Sequence, residues 1–180
     1  VRGHGFRLAC QARVLRDDQD IQVELPRYPK YKILEAGVRR RVPLNPLVRK
    51  ELTYTGWEVH WADRRIGGYE GELYGVALDV GTTTLVIHWL NLEDSDSPDR
   101  FASSMLNPQL RYGDNVIDRV SYARTFTMGQ RYLELAVREA VNEMIRHGPV
   151  DPRHIYEMVV VGNSVMRDIL VGHPVKSLGE

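Results

Sequence analysis

The sequence predicts a mixed α/β fold, with helices packed on a sheet whose strands run in both directions. Three observations predict it. Residues 74–90 hold two strand-like apolar runs separated by Gly81-Thr82-Thr83-Thr84, the pattern of a hairpin. Apolar residues then recur at helical spacing over residues 112–145. A further apolar run, Ile155–Val161, follows and leads into a last amphipathic segment. The resulting order is β-β-β-α-α-β-α.

Each element has its own justification. In residues 1–26, Ile21-Gln22-Val23-Glu24-Leu25 alternates apolar and polar until Pro26 stops it. Residues 27–72 read as a linker, punctuated by Pro29, Pro43 and Pro46 and rich in basic side chains. Within it, Tyr54–Trp61 has strand character and Gly67-Gly68 marks a turn. The organised part spans residues 73–180. After the hairpin, Ser95-Asp96-Ser97-Pro98-Asp99 reads as a polar loop, and Phe101–Leu106 as a third antiparallel strand. Tyr112, Val116, Ile117, Val120 and Ala123 give one helix its inner face. Leu133, Ala136, Val137, Ala140, Val141, Met144 and Ile145 do the same for a longer one, which Gly148-Pro149 ends. Ile155–Val161 reads as a short buried strand. Gly162-Asn163-Ser164 opens the last helix, with Gly172 and Pro174 as stops.

Composition narrows the function classes. Lys and Arg number 24, as do Asp and Glu, so no general attraction to nucleic acid or anionic membrane follows. No apolar run approaches the ~20 residues of a membrane span, and no signal segment opens the chain. A single cysteine suits a reducing cytoplasm. The chain opens on Val1 rather than Met, which reads as a fragment or a processed product.

The chemistry concentrates in the hairpin. A strand ending in Asp79, then Gly81 and three hydroxyl residues, is a way to build a pocket for a polyphosphate and its metal. Gly81 permits close backbone approach, Thr82, Thr83 and Thr84 donate to phosphate oxygens, and Asp79 holds Mg2+ through waters. An ordinary hairpin with polar turn residues is the competing account. Gly162, Asn163 and Ser164 admit two compatible readings: a helix cap with close packing, or a helix N-terminus facing phosphate. Asn107, Gln109 and Asp114 either line the cleft or are exposed loop residues, with Asp114 capping a helix near Asn115. Cys10, alone, is most simply a small buried hydrophobe. Arg39-Arg40-Arg41 reads as a solvated face, the histidines show no metal spacing, and Trp57 and Trp61 pack on a small sheet.

The Asp-x-Gly-Thr-Thr-Thr hairpin resembles the nucleotide-binding core of the acetate-and-sugar-kinase, heat-shock ATPase and actin superfamily, a ribonuclease H-like ATPase lobe. Leu106-Asn107-Pro108-Gln109, Tyr112-Gly113-Asp114-Asn115-Val116-Ile117-Asp118-Arg119-Val120 and Val160-Val161-Gly162-Asn163-Ser164-Val165-Met166 resemble one branch, the ATP-dependent reductive activators of corrinoid proteins. Gly5-Phe6-Arg7-Leu8-Ala9-Cys10-Gln11 resembles the tail of a plant-type [2Fe–2S] ferredoxin domain, in which Cys10 matches the fourth cluster ligand. Ala36-Gly37 and Pro43–Lys50 resemble that branch's linker. Two features depart from the pattern. The other three cluster cysteines are absent, and so is the second ATPase lobe with its second phosphate loop.

The resemblance implies residues 1–26 as a ferredoxin-like tail, 27–72 as a linker and 73–180 as the first lobe of an actin-like ATPase core. It implies ATP with Mg2+ and, in an intact protein, a [2Fe–2S] cluster. It further implies a cytoplasmic activator that passes electrons from a donor to a corrinoid protein, restoring Co(I) from Co(II). No nucleic-acid or membrane partner is implied, and a homodimer stays open. Two alternatives stand beside it: a small-molecule kinase of the same superfamily, and a non-catalytic interaction module.

Overall fold

The computed structural model describes residues 43–95 and 99–179, which lie in one compact unit spanning residues 33–180. The expectations for Cys10, for the strand at 21–25, for Ala36-Gly37 and for Arg39–Arg41 fall outside the described residues.

Two sheets form. The smaller is an antiparallel meander of β1 (Val48–Thr53), β2 (Gly56–Trp61) and β3 (Arg64–Gly68). It occupies part of the segment read as linker. Thr53 pairs with Gly56, so only Tyr54 and Thr55 make the first turn, and Gly56 adopts φ +124°, which favours glycine. Gly67-Gly68 is not a turn. Gly67 pairs with Val59 and Gly68 with Glu58, and an outer strand of a small sheet tolerates glycine.

The larger sheet is built from β4 (Tyr74–Val80), β5 (Thr84–Asn91), β6 (Asp99–Leu106) and β7 (Ile155–Gly162), in the order β6-β5-β4-β7. β4 and β5 form the predicted hairpin, β6 continues the antiparallel run, and β7 lies parallel to β4. Strand alternation sends Val76, Leu78 and Val80, with Leu85, Ile87 and Trp89, to one face. Helices α1 (Val116–Thr125), α2 (Gly129–Arg146) and α3 (Ser164–Val171) bring Val120, Ala123, Leu133, Val137, Val141, Val165, Met166 and Ile169 into the same core. Each large side chain removed from water there contributes about 1.5–3 kcal/mol. Trp89 is fully buried, and a Cβ on Gly148 would lie 2.4 Å from its ring, so glycine is what lets the chain after α2 close over the indole.

Three expectations are corrected. β7 is an edge strand rather than a buried one: among the described residues it pairs on one side only, and Met158, Val159 and Val161 are exposed. Asn115, not Asp114, caps α1, its side chain accepting from the Asp118 N–H. On α1 the inner face excludes Ile117, which is 79% exposed, and includes Arg119, which is fully buried.

The two sheets are joined by a second, small core of Val48, Val59 and Leu73, against which Tyr69, Leu92 and Tyr156 pack. A polar tie accompanies it. Glu157 Oε2 accepts from the backbone N–H groups of Leu47 at 3.0 Å and Val48 at 3.3 Å.

Candidate functional site: an anion-facing turn

β4 and β7 are parallel, with Asp79 opposite Val161 and Val80 opposite Gly162. The Gly81–Thr83 turn and the start of α3 therefore leave the sheet at the same end, where the carboxyl ends of parallel strands generally host ligands. β6 delivers Leu106 beside Thr84 at that end too, and the Asn107 N–H donates to Thr83 O at 2.8 Å. Of the residues predicted for the site, Asp79, Gly81, Thr82, Thr83, Thr84, Gly162, Asn163 and Ser164 thus lie at one end of one sheet. Asp79 is exposed at the end of β4.

The turn itself is tightly specified. The Gly81 N–H donates to Thr84 O at 2.9 Å, and a Cβ on Gly81 would lie 2.7 Å from that same oxygen. Only glycine fits. Gly162 is also constrained, since its Cβ would sit 3.0 Å from Val80 O. Asn163 accepts from the Met166 N–H at 3.0 Å, which fulfils the capping reading of Gly162-Asn163-Ser164.

Beneath the turn lies a buried polar cluster that composition did not reveal. Asn107, Gln109 and Arg119 are each fully buried. Asn107 Nδ2 donates to Gly81 O at 2.8 Å, and its Oδ1 accepts from the Gln109 N–H at 2.9 Å. Gln109 Nε2 donates to Leu133 O on α2 at 2.8 Å. The Arg119 guanidinium donates to Thr82 O, to Gly113 O at 3.2 Å, to Gln109 Oε1 at 3.1 Å and to Met166 Sδ on α3 at 3.0 Å. Burial pulls the Arg119 pKa below the usual guanidinium value, a pull that Asp114 opposes.

The consequence is geometric. Gly81 O, Thr82 O and Thr83 O are all held from the protein side, by Asn107 Nδ2, Arg119 and the Asn107 N–H. In a trans peptide the C=O and the following N–H point in opposite directions. Tying the carbonyls inward therefore aims the N–H groups of Thr82 and Thr83 outward. Among the described residues those two N–H groups and the threonine hydroxyls have no hydrogen-bond partner. Adjacent outward amides with hydroxyls are donors suited to an anion. Asn107 and Gln109, expected to line a cleft or to lie exposed, instead shape the turn from behind.

Comparisons with known proteins agree with one another. Residues 74–180 match the protein family described as RACo middle region. A curated protein of Eubacterium limosum, "Corrinoid activation enzyme RamQ", is 31% identical over 114 residues, which is 61% of this chain and 19% of that protein. A solved structure, "Reductive activator for corrinoid,iron-sulfur protein", superposes with a TM-score of 0.54 at 26% identity, over 62% of this chain and 18% of that one. The chain thus spans only a small part of the length of the relatives it matches.

Proposed function

The chain belongs to the RACo middle region family, and from that premise we propose that it contributes the first phosphate-binding wall of an ATP–Mg2+ site in a reductive activator of corrinoid proteins. The observation that supports this most is the Gly81–Thr83 turn, whose carbonyls are tied back so that the Thr82 and Thr83 amides face outward. In this reading residues 73–180 are the first lobe of an actin-like ATPase core, of the ribonuclease H-like kind. The two amides and the hydroxyls of Thr82, Thr83 and Thr84 orient the terminal phosphates, Asp79 holds Mg2+ through waters, and the start of α3 at Gly162-Asn163-Ser164 faces the same phosphates. Bound ATP supplies a free-energy difference between two conformations, which it can do only by binding one better than the other.

The donor set fits the two cofactors unequally. An exposed carboxylate beside an outward amide pair suits Mg2+ and phosphate. The chain's single cysteine supplies one of the four thiolates a [2Fe–2S] cluster needs. Cys10 would serve as one ligand of a cluster completed from outside these residues, and the corrinoid protein and electron donor would be partners of that larger assembly.

Isothermal titration of the 180-residue chain with Mg-ATP tests this reading. Weak binding, further weakened by Asp79→Asn and without hydrolysis, is the expected result, because one wall of a nucleotide cleft is present. Submicromolar affinity or measurable turnover would overturn the half-site view, and no binding at millimolar nucleotide would overturn the site.

A further inference from the structure

Arg119 carries a charge that its surroundings do not cancel. It is fully buried, and its four acceptors, Thr82 O, Gly113 O, Gln109 Oε1 and Met166 Sδ, are all neutral. Among the described residues no carboxylate pairs with it. Among the described residues the carboxylate that opposes the downward pull on its pKa is Asp114, which is exposed to solvent. Neutral acceptors satisfy the hydrogen bonds of a buried guanidinium without neutralising it.

The position of that charge is informative. Arg119 donates to Thr82 O, and the carbonyl of Thr82 and the N–H of Thr83 belong to the same peptide group. A charged donor on the carbonyl polarises that peptide and strengthens its N–H as a donor. The uncompensated cation therefore sits directly behind an outward amide. We infer that Arg119 is the positioning residue of this turn, which fixes the Thr82–Thr83 peptide and supplies through it the positive potential that draws a polyphosphate anion. The inference rests on the phosphate reading of the turn. It goes beyond it in assigning the affinity of the site to a buried side chain that would not touch the ligand. Through Met166 Sδ the same guanidinium also ties the turn to α3, so both elements that face the anion share one anchor.

The test is an NMR titration of the 15N-labelled 180-residue chain with tripolyphosphate, repeated with Mg-ATP, following the Thr82 and Thr83 amides. The wild type is expected to shift at both. Arg119→Gln is expected to bind on the order of tenfold more weakly, and Arg119→Lys, which keeps the charge, to recover part of the loss. Asp114→Asn, at the surface, is expected to bind about twofold more tightly because it removes the opposing field. Equal affinity in the wild type and Arg119→Gln would overturn the inference and leave the phosphate reading standing. So would equal losses in Arg119→Gln and Arg119→Lys that track their melting temperatures, since a packing role alone predicts that. If Arg119→Gln does not fold, the Asp114→Asn arm decides: tighter binding supports the inference, and unchanged or weaker binding overturns it. If the wild type moves neither amide, the phosphate reading falls and the inference falls with it.

Discussion

Asn107 uses both ends of its amide at once, Oδ1 accepting from the Gln109 N–H and Nδ2 donating to Gly81 O. Replacing it with aspartate changes almost no volume but sets an oxygen against the Gly81 carbonyl in a buried place. Asn107→Asp is therefore expected to lose about 1–3 kcal/mol of stability or more, the cost of an unsatisfied buried polar group. Chemical denaturation at neutral pH checks it, and a loss under half a kcal/mol would mean that the turn is held by something other than this bond. The residue scale is also where the sequence was least legible. Asn107 and Gln109 stood out as polar residues after a strand, yet nothing in composition distinguishes a buried amide from one that lines a cleft. Arg119 was harder still. It sits beside Ile117 on one helix, and hydrophobicity assigns the inner face to isoleucine. The structure reverses the two because the turn needs a charged, multidentate donor there.

At the scale of elements the reading was better, because periodicity carries it. The hairpin, the third strand and the three helices stand where strand alternation and helical spacing place them. β7 is legible as a strand but not in its exposure. A run of Val159-Val160-Val161 reads as buried on both sides, yet only Val160 packs against the core while Val159 and Val161 face outward. An apolar run records what a strand is suited to pack against, not whether the neighbour is present among the residues in view. The strand–helix junction that follows it has a definite energetic role. Asn163 caps α3 through the Met166 N–H, so Asn163→Ala is expected to cost about 1 kcal/mol of stability. If the cap also faces phosphate, the same variant loses tripolyphosphate affinity beyond what its melting temperature accounts for. A variant with a full-strength cap effect and unchanged affinity would assign Asn163 to structure alone.

The whole molecule, as far as it is described, is two sheets with separate cores. Reading residues 27–72 as a linker does not anticipate the three-stranded meander, whose short strands and glycines give weak signals one at a time. The meander is held to the larger sheet by three fully or nearly buried side chains, by Glu157 Oε2, which accepts from Leu47 and Val48, and by the Lys50–Glu93 ion pair. So small an anchor predicts unequal stability. Hydrogen exchange is expected to protect residues 76–90 far longer than residues 48–68. Glu157→Ala is expected to speed exchange in the second range while leaving the first unchanged. Uniform acceleration across both would mean that the two sheets unfold as one unit.

The three tryptophans divide between the sheets: Trp57 and Trp61, each 48% exposed, on β2, and Trp89, fully sealed, on β5. Indoles in water and in a dry core emit at different wavelengths. The protein consequently carries its own two-colour reporter, in which loss of the meander alters the red side of the emission band while the blue side persists until the larger core opens.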